Sequence, residues 1–376
     1  MKVFFKFFAL VLTVATVFSF SACGEKEETS EQYGYAFEIE ETVEAAEEGG
    51  EDKKILTIKG LYVGQNTQNE FDSGIGDSLD LVIGKDGGFN VYDEADGDSQ
   101  FDSTQKTKKR LSFENYDEIK IDKDAFSGQK IIGSITLTDR VTEIGTNSFA
   151  GCSGLTKMTV PFVGTKAQAY NVNKTFASLF GTADVTGCTS TTVTYNEGNT
   201  ATYYLPSGLT EVVVNYSANS ELPEYAFAGV TVLKKVILNN VTEIGANAFA
   251  GCTGLTTVAL DEAKLEVIGR SAFSGCTGLY NFGLDKLVAL KTVYQEAFMG
   301  CTKLGSVYTE IVLPAADYMD KAFKDCTSLK AVDFRNVKSL GEACFYGCSS
   351  LEEVKNADGK YTGTLVFEGT KYQKNK

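Results

Sequence analysis

Nine cysteines are the side chains best suited to bind a metal ion or form disulfides in this 376-residue chain. Six of them share one position, three residues after a recurring phenylalanine: Cys152, Cys252, Cys276, Cys301, Cys326 and Cys348. Zinc needs several ligands that converge on one point, and a row with one cysteine per repeat does not provide them. The spacing therefore predicts a buried ladder of thiols that pack as small apolar groups, with no metal site. Cys188 lies outside the row and is expected to be the most exposed.

The chain contains no histidine, which removes most familiar catalytic arrangements. Ser-His-Asp and Cys-His nucleophilic systems are excluded, as are imidazole metal ligands and the commonest general base. We therefore predict that the protein is not an enzyme and uses no cofactor. A carboxylate-dependent hydrolase with its site in residues 55–114 is the remaining enzymatic alternative.

Acidic residues dominate the charge, with a formal net charge of −15. Such a surface repels phosphate backbones, so we expect no nucleic-acid partner. A candidate strip for binding a basic protein consists of residues on or directly after short predicted strands: Asp261, Asp285, Tyr308, Glu310 and Asp333. The alternative is that these side chains are only the solvated face of a sheet.

Small residues punctuate the same face, as at Ala259, Gly283 and Ala331. They make the face shallow, which disfavours a pocket for a small-molecule substrate. A protein ligand is the expected partner.

The amino terminus has the features of an export signal. Lys2 and Lys6 precede an apolar run over residues 7–20 that is too short to cross a bilayer as a helix. Phe20-Ser21-Ala22-Cys23 resembles the lipobox of bacterial lipoproteins, which implies that residues 1–22 are removed and that Cys23 carries the lipid anchor. The alternative is an ordinary cleaved signal with an incidental cysteine.

Residues 23–54 follow as a predicted acidic flexible tether. Residues 24–54 hold 12 acidic and 3 basic side chains, and like charges extend a chain that has little to bury.

A repeated phrase organises the rest of the chain. Val141-Thr-Glu-Ile-Gly-Thr-Asn-Ser-Phe-Ala-Gly-Cys152 recurs almost unchanged as Val241-Thr-Glu-Ile-Gly-Ala-Asn-Ala-Phe-Ala-Gly-Cys252. Its phenylalanine falls at Phe126, Phe149, Phe227, Phe249, Phe273, Phe298, Phe323 and Phe345. Apart from one gap of 78, the spacing is 22 to 25 residues, a period typical of leucine-rich repeats. After each cysteine, Leu-x-x-apolar-x-apolar predicts a short strand. Stacked coils would bury their apolar faces against each other around a parallel sheet.

The phrase Ile-Gly-x-x-Ala-Phe-x-Gly-Cys-x-x-Leu resembles the BspA-like leucine-rich-repeat family of bacterial surface proteins over residues 115–355. The resemblance implies a mainly β solenoid with a parallel sheet on its concave face and short turns or helical segments on the convex side. It also implies an atypical coil with an insertion at residues 162–203, within the long gap.

Residues outside the repeat are expected to close the two ends of the solenoid. Residues 55–114 contain three predicted short strands, at 55–63, 79–83 and 89–92, and are interpreted as a small β-rich amino-terminal cap. Residues 356–376 are interpreted as a carboxy-terminal cap and tail, with 361–367 as a closing strand.

Together these features favour a lipid-anchored protein outside the cytoplasm, displayed on the cell surface. The family resemblance implies protein–protein binding and adhesion to a host matrix protein or a bacterial surface protein. The alternative, a periplasm-facing envelope scaffold with no adhesive role, has the same sequence features.

Overall fold

The computed structural model describes residues 14–20, 35–46, 50–63, 79–85, 89–92, 108–169, 171–196, 198–307, 310–355 and 365–374. About 6% of the residues are helical. The strands are β1 (Val14–Phe20), β2 (Tyr35–Glu44), β3 (Lys53–Val63), β4 (Leu79–Ile83), β5 (Phe89–Tyr92), β6 (Lys108–Leu111), β7 (Glu118–Ile121), β8 (Ile132–Leu137), β9 (Val141–Ile144), β10 (Lys157–Val160), β11 (Cys188–Asn196), β12 (Asn199–Pro206), β13 (Glu211–Leu222), β14 (Lys235–Ile244), β15 (Thr257–Leu260), β16 (Val267–Ile268), β17 (Thr292–Val293), β18 (Ile311–Val312), β19 (Asp317–Tyr318), β20 (Ala331–Asp333), β21 (Ser339–Leu340) and β22 (Glu353–Lys355). The helical segments are 3-10 turns at Phe113–Asn115, Asn171–Lys174, Phe176–Leu179 and Leu284–Lys286, and the short helix α1 (Lys371–Lys374).

Two ladders of parallel strands run along the solenoid. The front ladder contains the strands that follow each Leu-x-x: β4, β8, β10, the first halves of β13 and β14, and β15. The back ladder contains the strands of the Ile-Gly phrase: β7 and β9, then the second halves of β13 and β14, then β16, β17, β19 and β21. The predicted mainly β solenoid with a parallel sheet is confirmed, and the back ladder is a second row of strands where turns were expected.

The front ladder is interrupted after β15. Only an isolated bridge joins Thr257 to Asn281, and the chain then enters a 3-10 turn at Leu284–Lys286 after the left-handed Gly283. The strand predicted from Leu279, Phe282 and Leu284 is therefore not formed. The ladder resumes as a separate parallel sheet of β18, β20 and β22.

A spine of phenylalanine rings fills the interior. From Phe227 to Phe345 each ring stacks on the next, with centroids 5.0–5.4 Å apart and planes within 9°. Such stacked aromatic pairs stabilise the fold by more than the burial of their apolar area alone. The repeat phrase positions them because it contains two left-handed turn residues. Asn247 (φ 56°) and Gly251 (φ 74°) flank Phe249 in this way.

The predicted thiol ladder is also present. The six repeat cysteines are fully buried, and each thiol donates a hydrogen bond to the phenylalanine carbonyl of the preceding coil. The Sγ–O distance is 2.9 Å from Cys252 to Phe227 and 3.2 Å from Cys326 to Phe298. Burial raises the pKa of the Cys252 thiol to about 12. The Cys252 thiol therefore stays protonated, and its hydrogen has an acceptor inside the core.

Residues 55–114, interpreted from sequence as an amino-terminal cap, contain the three predicted strands as β3, β4 and β5. β3 continues the back ladder by pairing in parallel with β7, and β4 continues the front ladder by pairing with β8. Two strands of this region were missed. β6 pairs antiparallel with β5, and β2, within the predicted flexible tether, pairs antiparallel with β3. Its alternation buries Phe37 and Ile39, a period of two that the abundance of glutamate obscured. β1, within the predicted signal peptide, pairs with β2.

Residues 365–374, within the region interpreted as a carboxy-terminal cap, contain a further copy of the repeat phrase. The Phe367 ring stacks on Phe345 at 6.0 Å, and Gly369 has the left-handed φ of the repeat glycines. The predicted closing strand at 361–367 is thus not found in its described part, because residues 365–367 form the phrase's turn. Residues 361–364 lie outside the described residues. Thr370 occupies the cysteine position of the phrase.

Candidate interaction surfaces

The outer face of the front ladder carries partly exposed side chains at alternate positions of each strand. At one level Glu211 forms ion pairs with Lys157 at 2.8 Å and with Lys235 at 3.2 Å. The hydrogen bond from Lys157 is the main cause that lowers the pKa of Glu211. Beside this row lie Val213 and Ile237, which are half-buried. The register of the parallel strands therefore presents a flat surface of mixed polarity.

The predicted acidic strip is brought together only in part. Asp285 is exposed on the 3-10 turn, and it lines a small cavity of about 70 Å³ together with Glu310. Asp261 is half-buried one coil earlier, 3.4 Å from Lys264. The Glu310 carboxylate lies 3.2 Å from Lys355.

Asp333 differs from the expectation that it faces outward. Its side chain is fully buried, and it accepts hydrogen bonds from the Arg335 backbone N–H at 2.8 Å and from Arg335 Nε at 2.7 Å. The Arg335 side chain, which is exposed, neutralises this carboxylate. Lysine and arginine therefore balance three of the four acids, at Asp261, Glu310 and Asp333, and the strip is less acidic than its sequence implies.

The other two predicted site residues, Tyr308 and Cys23, lie outside the described residues. The strand register near Tyr308 differs from the repeat. Ile311 pairs with Val332 and follows Leu304 by seven residues, whereas Val332 follows Leu329 by three. Extra residues in this coil thus place the strand at Ile311–Val312, later than the repeat predicts.

A larger surface feature lies at the back ladder, and sequence reasoning did not predict it. The chain after β10 does not form the back strand of its coil. Pro161 lacks a backbone N–H, and Gly164 has a left-handed φ of 86° where a Cβ would lie 2.2 Å from the Asn173 carbonyl. An open groove of about 1020 Å³ lies between residues 161–169 and the second half of β13. We call it the back groove.

Sequence signals for the back groove were present. The Ile-Gly pair is absent after Val160, and proline and glycine stand where that strand would begin. These signals mark a broken strand, although they do not reveal the groove's size or charge.

Acidic side chains line the back groove, with Asp139, Glu221, Glu224 and Glu243 facing a single arginine, Arg270. Burial, and then the neighbouring Glu221 carboxylate, raise the pKa of Glu243. Glu224 is paired with Lys174 at 3.6 Å. The groove is therefore a region of unbalanced negative charge.

Apolar groups form part of the groove's lining, among them the buried Phe162, Val163 and Leu222. Burial raises the pKa of Tyr216 well above its ordinary value. Thr142 Oγ1 is buried and has no hydrogen-bond partner among the described residues. The lining thus combines apolar side chains with acidic ones.

Within the described ranges no group of three or more cysteine, aspartate or glutamate side chains is arranged to hold a metal ion. None of the described helices has the length and apolar character needed to cross a membrane.

Stacked parallel strands, a phenylalanine spine and a turn repeated every 22 to 25 residues define a leucine-rich-repeat solenoid. The family model of the BspA type leucine rich repeat region matches in six copies, over residues 97–182, 198–315 and 289–375. The chain belongs to this family, whose solenoids serve protein–protein interaction.

Solved structures of related solenoids show limited similarity. A leucine rich repeat protein of T. pallidum is 28% identical, with 46% of this chain and 81% of that chain covered and a TM-score of 0.36. A leucine rich cell surface protein of Faecalibacterium prausnitzii is 16% identical, with 92% and 97% covered and a TM-score of 0.30. A leucine-rich repeat protein of Eubacterium ventriosum is 14% identical, with 95% of each chain covered and a TM-score of 0.26. The comparison with curated proteins found no match.

Proposed function

We propose that this protein is a lipid-anchored binding protein of the bacterial cell surface that adheres to a host matrix protein or a bacterial surface protein. Cys23 is its anchor, and the solenoid is its binding module. One observation carries the binding role: the outer face of the front ladder stays uncovered from β8 to β15, with side chains such as Thr159, Ile237 and Ala259 partly exposed. Rigid rows of this kind suit protein ligands.

Asp261, Asp285 and Glu310 extend this surface, with Tyr308 two residues before Glu310 in sequence. Asp285 is the main charge in this proposal, because it is exposed and forms no ion pair within the described residues. Asp333 supports the surface by holding Arg335 against β20.

Protease treatment of intact cells tests the location. We expect the protein to be digested on intact cells as completely as in lysed cells, and Cys23→Ala to abolish its retention in the membrane fraction. Digestion only after lysis would overturn the surface assignment and favour the periplasm-facing scaffold. Retention of Cys23→Ala in the membrane would overturn the lipid anchor.

Binding of the purified protein to immobilised matrix proteins tests the front surface. We expect Asp261→Lys combined with Asp285→Lys to weaken binding about fivefold at low salt and less at high salt, because exposed charges are screened. Asp184→Lys is the control, an exposed reversal in the insertion. Equal binding by both variants would remove the acidic strip from the proposal.

A further inference from the structure

The back groove is the place where the hydrogen bonds of the back ladder stop. At regular junctions the carbonyl of one coil accepts the N–H of the next, as in Gly145 to Ile121 at 2.7 Å and Gly269 to Ile244 at 2.8 Å. After β9 this pattern reverses, because the N–H of Ile144 is donated to the Thr165 carbonyl at 2.7 Å. Glu143 and Lys166 then form an antiparallel bridge. The irregular segment therefore follows the edge of β9 and does not continue the ladder.

The opposite wall of the groove is the second half of β13. Its other neighbour is β14, and the Leu222 carbonyl accepts the Gly245 N–H at 2.9 Å. In a parallel ladder successive residues direct their backbone groups to opposite sides, so the N–H and C=O of Glu221 point into the groove. Among the described residues, no backbone hydrogen bond joins residues 161–169 to residues 216–224. The groove thus has a short open strand edge.

Charge indicates what could pair with this edge. Asp139, Glu221 and Glu243 line the groove without an ion pair within the described residues, and Arg270 is the one basic side chain in its lining. Two of these carboxylates lie on paired positions of adjacent strands, because Glu221 is in register with Glu243. Like charges on paired positions repel each other, and a bound cation would relieve that repulsion.

We propose that the back groove binds an extended, lysine- or arginine-bearing segment of the protein partner, which pairs through its main chain with the open edge of β13 at Glu221. This inference rests on the proposed function, since it supplies a second contact for a solenoid that binds protein. Strand addition provides main-chain hydrogen bonds, and alternate side chains provide specificity. Basic side chains of the segment contact Glu221 and Glu243, and its apolar side chains pack on Phe162 and Val163.

Synthetic heptapeptides test the groove directly with the full mature protein. The probe alternates lysine with valine or threonine. One matched control replaces lysine with glutamate, and another carries N-methyl groups that block main-chain pairing. We expect the lysine probe to bind at least tenfold more tightly than either control. Equal binding of the N-methylated peptide would overturn strand addition, and equal binding of the glutamate peptide would overturn the charge assignment.

Variants assign the binding to this groove. We expect Glu221→Lys combined with Glu243→Lys to weaken binding of the lysine probe at least tenfold, and the isosteric Glu221→Gln with Glu243→Gln to weaken it severalfold while preserving the fold. Glu262→Lys, an exposed reversal outside the groove, is the control. Unchanged binding by the glutamine variant would overturn the proposal, whatever the lysine variant does.

The same glutamine variant, tested for adhesion, separates this inference from the proposed function. If the unmodified protein adheres to no matrix or bacterial surface protein, the proposed function fails. If it adheres and the glutamine variant adheres equally well, only the back groove is removed from the account. Weaker adhesion by the variant supports both.

Discussion

The coils from Phe227 to Phe345 and the coil that contains residues 161–210 perform the same structural task by different means. In the first region each ring stacks almost parallel on the next, with planes within 9°. In the second, Phe180 and Phe176 bridge Phe149 and Phe227 with tilted rings, and the Phe149–Phe180 centroids are 6.3 Å apart. The spine continues through both regions, whereas the back ladder continues through only one.

This contrast shows which features a coil keeps even where the repeat is interrupted. The interrupted coil keeps its interior apolar residues and its front neighbours, because β10 pairs directly with β13. It lacks the back strand, and the β11–β12 hairpin adds the buried Val193 and Leu205 to the core. A solenoid can therefore open a groove at one ladder while the core and the other ladder hold the coils in register.

Removing a stacked ring should cost more stability than removing a tilted ring, and this is the largest difference that we expect between the two regions. Phe273→Ala should destabilise the protein by about 3–5 kcal/mol, since the ring is fully buried between two stacked neighbours. Phe180→Ala should lower the free energy of unfolding by a smaller amount, because its looser neighbours can move into the cavity. Urea unfolding followed by circular dichroism measures both. A larger loss for Phe180→Ala would contradict the comparison.

These two regions also differ in how far the sequence could predict them. In the regular coils, phrase spacing predicted the buried residues and the front strands β15 and β20, because each position of the repeat has a fixed neighbour one coil away. The front strand expected after Leu279 did not form. The register failed where a coil changed length, as between Leu304 and Ile311. The structure also differs from the expectation that Asp333 faces outward. The Arg335 side chain, two residues further on, pairs with it, and periodicity does not encode such a side-chain contact.

The sequence alone could not predict the back groove, and the reason is different. Pro161 and Gly164 predict that a strand is broken, but a groove forms only if nothing else fills the space. That outcome depends on the path of residues 161–175 relative to β13, which is a long-range contact. The charged groups around it come from positions as distant as Asp139 and Arg270, and no local pattern joins them.

Cysteines give the next largest contrast. Cys276→Ala should destabilise the protein by about 1–2 kcal/mol, because it removes a buried hydrogen bond to the Phe249 carbonyl and leaves a small cavity. Cys188→Ala, in the insertion, should change stability by less than about 0.5 kcal/mol, since that thiol is only half-buried and belongs to no ladder.

A thiol reagent checks the same contrast without mutation. In the folded protein we expect Cys188 to react first, while the six ladder thiols react only on unfolding, because burial raises the pKa of Cys276 and its neighbours. Rapid reaction of a ladder thiol in native protein would show that the regular coils open locally, contrary to the stacked spine.

The smallest expected effect concerns two glutamates on the back ladder. Glu243 lines the groove, and its folded-state pKa is raised by burial and by Glu221. Its charged form is thus disfavoured in the folded state, so its unfavourable contribution to stability is absent below the ordinary pKa of 4.5, grows between that value and the folded pKa, and stays constant above it. Glu243→Gln should raise Tm by about 1–2 °C at pH 7 and have no effect at pH 3–4, a modest change because solvent screens the partly exposed carboxyl.

Glu266→Gln is the matched substitution outside the back groove. Glu266 lies 2.5 Å from Lys291, so its removal at pH 7 should lower Tm slightly or leave it unchanged. Opposite changes in Tm for the two variants would mean that the groove keeps a carboxylate at a cost in stability, as expected of a surface retained for binding. If Glu243→Gln also lowers Tm, the carboxylate is stabilised by its surroundings, and the groove holds no unbalanced charge for a basic segment to neutralise.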